Sequence, residues 1–206
     1  MSVVVALKKN GTVYLGADSQ VTRGGTRSSL SNPNNFKIWK VRNAAHCLMG
    51  SVGYFRDGCA VRVMDDLVSE LDVLHDRIDY EYVVRRIEPA IRDELIEHSF
   101  VERSNPYRDM HSDFLFVYRD RMYTISGGSV IEHDDFVAMG SAESEAIGSL
   151  LTTGEDMDPN ERIIRAIKAG AAHDIYVDYP IVLINSDEME FRVISEAADR
   201  KGPDKK

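Results

Sequence analysis

The stretch Ser2-Val3-Val4-Val5-Ala6-Leu7-Lys8-Lys9-Asn10-Gly11-Thr12-Val13-Tyr14-Leu15-Gly16-Ala17-Asp18-Ser19-Gln20-Val21-Thr22 decides how the rest of the chain is read. Val3 to Leu7 is a continuous, largely β-branched run, the composition of a strand. Lys8-Lys9-Asn10-Gly11 then turns the chain, because Asn and Gly both tolerate the positive φ of a tight hairpin turn. Thr12 to Ala17 is the returning strand, and Asp18 stands at its end.

Beyond this hairpin, Gly24-Gly25 and the polar run Ser28 to Asn35 predict a loop. Phe36 to Val41 alternates as a strand should and carries Lys37. Cys47-Leu48-Met49 begins another strand, which ends at Gly50 and Gly53. Val61, Met64, Leu67, Val68, Leu71 and Leu74 recur at three- and four-residue spacing and predict one helix. Val84, Ile87, Ile91 and Leu95 predict a second, kinked at Pro89. Phe114–Tyr118 and Met122–Ser126 read as a hairpin turned at Arg119-Asp120-Arg121, followed by a short strand, Phe136–Met139. Ile147, Leu150 and Leu151 mark a third helix. A fourth opens with Asp158 as N-cap, Pro159 at the first helical position and Glu161 at N3, with Ile163, Ile164 and Ile167 on its apolar side. Strands at Ile181–Ile184 and Phe191–Ile194 close the domain. The order is strands, two helices, strands, two helices, strands, which favours antiparallel sheets over alternating βαβ units. The expectation is a single α+β domain over residues 1–200, with a disordered tail at 201–206. Two sheets face to face with a helix pair outside each, a four-layer αββα sandwich, would bury every stripe named.

The 206 residues carry a formal net charge of −9, which argues against sequence-independent nucleic-acid binding and reads as solubility. Cys47 and Cys59, set in apolar or helical stretches, read as buried thiols in a reducing compartment. Neither they nor the six histidines show metal-ligand spacing. His46, His98 and His173 read as structural or solvated, and the acidic run Glu132–Asp135 as a solvated turn. No glycine-rich phosphate motif occurs, so no cofactor is expected and any ATP use would belong to a partner. No stretch approaches the roughly 20 apolar residues of a membrane span. The run before Lys8-Lys9 is shorter than the roughly 7–15 residues of a secretory signal. A cytoplasmic location is expected.

Ser is small enough to permit removal of the initiator Met, which would free the α-amine of Ser2. Such an amine has a reference pKa of about 7.7–8.0, so it can take the Ser2 hydroxyl proton as general base. If the strands bearing Asp18 and Lys37 neighbour the first strand, an acid–lysine pair lies beside that amine. An ammonium about 4 Å away would disfavour its protonation by on the order of 4 kcal/mol at an effective dielectric of 20. Taken alone, Ser2 also reads as the ordinary small residue after Met, and Asp18 and Lys37 as surface charges.

The opening stretch resembles that of proteasome β-type subunits and is especially similar to HslV, the peptidase subunit of the bacterial two-component protease. These are N-terminal-nucleophile (Ntn) hydrolases. Lys37-Ile38-Trp39-Lys40-Val41 matches the family's lysine motif. Gly50-Ser51-Val52-Gly53, with Asp57 in the helix beyond, resembles the glycine loop that supplies the oxyanion hole. Phe136 to Ser141 resembles the Gly-Ser before the third helix, and Ala171-Ala172-His173-Asp174 the end of the fourth. The resemblance spans roughly residues 2–194. It implies a proteasome-subunit-type Ntn fold in which Ser2 attacks the scissile carbonyl and Lys37, oriented by Asp18, tunes the amine. Gly53 N–H, with Gly50 as second choice, would stabilise the oxyanion. Ser141 and Asp174 would fix the amine and a water, though Ser141 also reads as a helix N-cap and Asp174 as a helix-end charge. Thr22 and its neighbours would pair with an extended polypeptide substrate, and Thr22, Arg23 and Ser51 would line the specificity pocket. A homo-oligomeric ring, stacked as a double ring, and an AAA+ unfoldase partner are implied as well. There are three departures from the family pattern: the nucleophile is Ser rather than Thr, Val177 replaces a serine, and Ala142-Glu143 replace glycines. A catalytically silent ring subunit and an Ntn amidase or peptide ligase are the alternatives.

Overall fold

Strands β1 (Val3–Lys9) and β2 (Thr12–Ala17) form the expected hairpin in a computed structural model that describes residues 2–98, 100–105 and 110–196. Asn10 and Gly11 both take positive φ, 53° and 80°. This mirror-image turn matches the right-handed twist of the two strands. β1 pairs on its other edge with β10 (Phe136–Gly140), and β2 with β11 (Ile181–Asn185), which pairs with β12 (Arg192–Ile194). The order of this antiparallel sheet is β10-β1-β2-β11-β12. The second sheet runs β5 (Ile38–Lys40), β6 (Cys47–Val52), β7 (Asp113–Tyr118), β8 (Arg121–Ser126) and β9 (Ser129–His133).

The layering explains why Val3 to Leu7 does not alternate with polar residues. Val4 and Ala6 point between the sheets, with Leu48 and Leu115 in the same core. Val3, Val5 and Leu7 point the other way, onto α4 (Glu143–Thr152) and α5 (Pro159–His173), through Ala146, Leu150, Ile163 and Ile167. A strand buried on both faces must be apolar throughout. The opposite face of the second sheet, with Phe114, Phe116 and Tyr118, packs against α1 (Phe55–Arg62) and a long helix α3 (residues 80–97). The fold is an α+β, four-layer αββα sandwich.

Gly16 on β2 faces α5, and a Cβ placed there would overlap the Ile163 side chain. Gly16→Ala is therefore expected to destabilise the domain by about 1–3 kcal/mol through overpacking, lowering Tm by several degrees in a thermal melt. An unchanged Tm would mean that α5 can lift off the sheet at no cost.

The second helical stripe holds an irregularity with a local cause. α3 opens at Tyr80–Tyr82, widens to a π turn over Val83–Ile87 and continues as Glu88–Glu97. Pro89 would otherwise drive its ring into the carbonyl four residues back, and the wider turn before it relieves this clash. Val84 is exposed, whereas Ile87, Ile91 and Leu95 are fully buried. The stripe from Val61 to Leu74 is not one helix. α1 stops at Arg62, a non-helical segment carries Leu67 and Val68 into the core, and a short helix α2 (Glu70–Leu74) follows. Asp65, Asp66 and Ser69 favour side-chain-to-backbone bonds that compete with helix. Leu71 and Leu74 are consequently 62% and 74% exposed.

Two strands not read from the sequence flank the Gly24-Gly25 turn, the second running into the predicted loop. β3 (Gln20–Arg23) and β4 (Thr26–Ser29) form a hairpin turned by Gly24-Gly25, both at positive φ. Gly127-Gly128 turns β8 into β9, so Glu132 and His133 of the acidic run belong to a strand. Cys47 is buried as expected, but Cys59 is exposed on α1. His46 Nδ1 lies 2.8 Å from the Ser186 carbonyl, and His98 lies 3.0 Å from Glu94. Among the described residues no helix is long and apolar enough to cross a membrane. Met1 and the tail at 201–206 lie outside the described residues.

Candidate active site

The hairpin turn puts the start of β1 beside the end of β2. Asp18 N–H donates to the Val3 carbonyl at 3.2 Å, and Asp18 Oδ1 accepts the Val3 N–H at 2.9 Å. The residue after Ser2 is thus clamped from both sides. Lys37 Nζ reaches the same carboxylate, 2.8 Å from each oxygen, and Gln20 N–H donates to Oδ2 at 3.0 Å. The Lys37 and Asp18 side chains are 4% and 0% exposed. Only the strand that ends at Asp18 neighbours β1 within a sheet; Lys37 comes from the other sheet, so the ion pair spans the gap between the two. Lys37 lies just before β5, with its carbonyl accepting Ser51 N–H at 2.9 Å.

Burial pushes the Asp18 carboxyl up, against the pull of Lys37 and of the Val3 and Gln20 N–H groups. Burial pushes the Lys37 ammonium down, opposed by Asp18 and, more weakly, by Asp174. Both directions have one meaning: little water stabilises either charge, so each depends on the other.

Ser2 N donates to Ser141 Oγ at 3.2 Å, and Ser141 Oγ is 3.5 Å from the Ser2 carbonyl. Ala142, not Ser141, is the N-cap of α4, so the Ser141 hydroxyl is committed to Ser2 rather than to a helix end. Gly140 pairs with Val3 at φ 105°, and a side chain there would run into the Ser2 carbonyl. Asp174 caps the C-terminus of α5. Its Oδ1 accepts Tyr176 N–H at 2.8 Å, while Oδ2 is buried without a hydrogen-bond partner.

Ser2 opens onto a cavity of about 250 Å³ whose wall includes Thr22, Ser51 and Gly53. Gly53 adopts φ 102°, and a Cβ there would meet the His111 carbonyl and Ser112. The loop beyond it is pinned: Ser112 Oγ accepts Tyr54 N–H at 2.9 Å and donates to Asp57 Oδ2 at 2.7 Å, with Ser112 and Asp57 both buried. Gly50 instead lies within β6, between the sheets against Val4 and Ile38. Arg23 is exposed at the end of β3 and is not part of the cavity wall. β3 pairs with β4 alone among the described strands, leaving its other edge open.

Sequence reasoning missed Gln20, Phe36 and Arg62, which also line the cavity, and Ser112, which anchors its loop. Arg62 falls between the apolar positions of a predicted helix, where nothing local marks it. Ser112 sits in a stretch with no periodic pattern at all. Among the described residues no group of three His, Cys, Asp or Glu side chains could hold a metal ion.

None of the curated proteins compared matches the chain at the sequence level. Solved structures of the same fold include Thiobacillus denitrificans BPH in complex with epoxomicin, 19% identical over 91% of this chain and 99% of that one, with a TM-score of 0.66. The Anbu (Gly-1) mutant from Hyphomicrobium sp. strain MC1 is 16% identical, covering 97% and 90%, at a TM-score of 0.71. HslV from Trypanosoma brucei is 19% identical, covering 89% and 98%, at 0.62. The family described as "Proteasome subunit" matches residues 2–181. With that match running from the buried Ser2 through both sheets to the first residue of β11, the chain belongs to the proteasome subunit family.

Proposed function

We propose that the protein is an Ntn peptidase that hydrolyses peptide bonds through an acyl ester on Ser2, once Met1 has been removed. The observation that carries this reading is the Asp18 carboxylate, which holds the backbone beside Ser2 and the Lys37 ammonium together in a site closed to water. A buried ion pair is costly to maintain, and a catalytically silent ring subunit has no use for one at its first strand. In the proposed cycle the Ser2 hydroxyl attacks the scissile carbonyl carbon while its proton passes to the Ser2 amine. Gly53 N–H stabilises the oxyanion, and the amine returns the proton to the departing amide nitrogen. Water then takes the leaving group's place and repeats the two transfers, freeing Ser2. The substrate lies as an extended strand along the open edge of β3.

Removing the Met1–Ser2 peptide turns the Ser2 amide into an amine whose protonation Lys37 opposes. Asp174 Oδ2, buried and without a partner, is an acceptor available to that amine or to the hydrolytic water. Self-association into a ring, with an unfoldase feeding it, belongs to the same proposal. The exposed Leu71, Leu74, Leu151 and Ile175 supply apolar surface for such contacts.

Intact mass of the native protein, before and after epoxomicin, tests the reading, because the Thiobacillus relative forms a complex with that compound. Loss of Met1 and one adduct per chain are expected, both adduct and peptide hydrolysis vanishing in Ser2→Ala, hydrolysis by at least about 10⁴-fold. Retained Met1 with no adduct would turn the assignment to the silent ring subunit.

A further inference from the structure

A second cavity, of about 530 Å³, lies where the end of α1 meets β5, and three cations stand on its wall. They are Lys40 at the end of β5, Arg42 two residues on, and Arg62, the last residue of α1. No Asp or Glu among the described residues belongs to that wall, although the chain as a whole carries a net charge of −9.

Neither Lys40 nor Arg62 is paired with a carboxylate among the described residues. Arg62 lies over the Trp39 ring at 4.9 Å, and its two terminal nitrogens donate to the backbone carbonyls of Asn34 and Phe36. Its Nε is buried without a hydrogen-bond partner. Burial disfavours the charge on Arg62, and the group that opposes this is the Cys59 thiol rather than an acid. Lys40 Nζ stands 5.7 Å from the centroid of the Phe191 ring. Arg42 does meet Asp65 at 2.9 Å, but both side chains are exposed, and a surface bridge of that kind is held weakly.

Charge and size together narrow what can enter. Two unanswered cations and a third that is loosely held suit a ligand with two negative charges and oxygens pointing in several directions. A phosphoryl group carries about −1.5 to −2 at pH 7 and presents three acceptor oxygens, and the guanidinium fork matches its geometry. A guanidinium has five N–H donors, of which Arg62 spends two on the backbone. A single carboxylate would answer only one of the cations. The volume falls within the roughly 300–1,000 Å³ of small-molecule sites, with room for an organic part beside Phe191 and Val63.

We propose that this cavity binds a small phosphate monoester, its phosphoryl group held by Lys40, Arg42 and Arg62 and its organic part lying against Phe191 and Val63. Binding there requires no chemistry at Ser2, so the test reads occupancy alone.

The test is calorimetric titration and thermal melting of the whole chain with inorganic phosphate, AMP, adenosine and succinate, each at an ionic strength matched with KCl. AMP is expected to bind saturably and to raise Tm by about 5–10 °C at a hundred times its Kd. Inorganic phosphate is expected to bind more weakly, and adenosine and succinate at least about tenfold more weakly than AMP. Lys40→Gln and Arg42→Gln, both at exposed side chains, are each expected to raise the Kd for AMP about tenfold, and Arg62→Lys to raise it as well, because a point charge lacks the fork. Should Arg62→Lys fail to fold for want of its carbonyl bonds, the two exposed variants decide. The proposal is overturned if neither AMP nor phosphate shifts Tm beyond KCl, or if AMP binds Lys40→Gln and Arg42→Gln as tightly as wild type. Adenosine or succinate binding as tightly as AMP would overturn it too, the first making the site apolar and the second making it one for carboxylates.

Discussion

Lys37→Met is expected to lower peptide hydrolysis by about 10²- to 10⁴-fold and to destabilise the fold by about 3–5 kcal/mol. The two losses share a cause. Without the ammonium, the fully buried Asp18 keeps only the Val3 and Gln20 N–H groups as partners, and an unpaired carboxylate in that position is costly. The Ser2 amine would meanwhile lose the cation that holds it neutral, and protonate at working pH. Acid separates the two effects. Burial already raises the Asp18 pKa, and losing Lys37 raises it further. A carboxyl whose folded pKa lies above its unfolded value stabilises the fold below that unfolded value, and the benefit is lost as pH rises through the folded pKa. The stability gap between variant and wild type is therefore expected to narrow as pH falls, while activity does not return. Asp18→Asn/Lys37→Met, which removes both charges, is expected to recover much of the stability and none of the rate. Wild-type turnover in Lys37→Met would make the pair a structural strut and nothing more.

That same pair shows what the sequence could and could not carry. The Asn-Gly turn and the apolar run before it carry the hairpin that brings Asp18 to the start of β1, because a two-residue turn leaves one register, although Asp18 by itself reads as a surface charge. Nothing local to Phe36–Val41 says that this strand belongs to the opposite sheet. Lys37 reaches Asp18 across the sandwich, a relation set by packing between layers. The strands that escaped reading, β3–β4 and β9, are the ones with exposed faces. Thr26–Ser29 is exposed throughout and Ser129–His133 mostly so, leaving no apolar alternation to read. Their glycine pairs were visible, but a turn signal predicts a hairpin only when the strands beside it are also legible. The converse error came from Val61–Leu74, where helical spacing was satisfied by chance across a break. Arg62 was invisible for a related reason: on a helical wheel it is one more polar residue, and only the folded chain brings it to the cavity wall.

Gly53→Ala is the sharpest test of the loop that frames that cavity. At φ 102° an added methyl is strained whatever the space around it, and the space is already filled by the His111 carbonyl and Ser112. The loop must shift, and the Gly53 N–H shifts with it. Loss of one oxyanion donor typically costs about 10²- to 10³-fold in kcat, and that loss is expected here with KM little changed, because the donor acts on charge that develops only in the transition state. Ser112→Ala provides the comparison. It removes the acceptor for Tyr54 N–H and the donor to Asp57, loosening the same loop while leaving the Gly53 backbone free to keep its conformation. A smaller fall in kcat and a rise in KM are expected from that variant, since the cavity wall softens and the donor persists. If Gly53→Ala instead raised KM and left kcat untouched, the loop would be a wall of the cavity only, and the oxyanion would have to find its donor elsewhere.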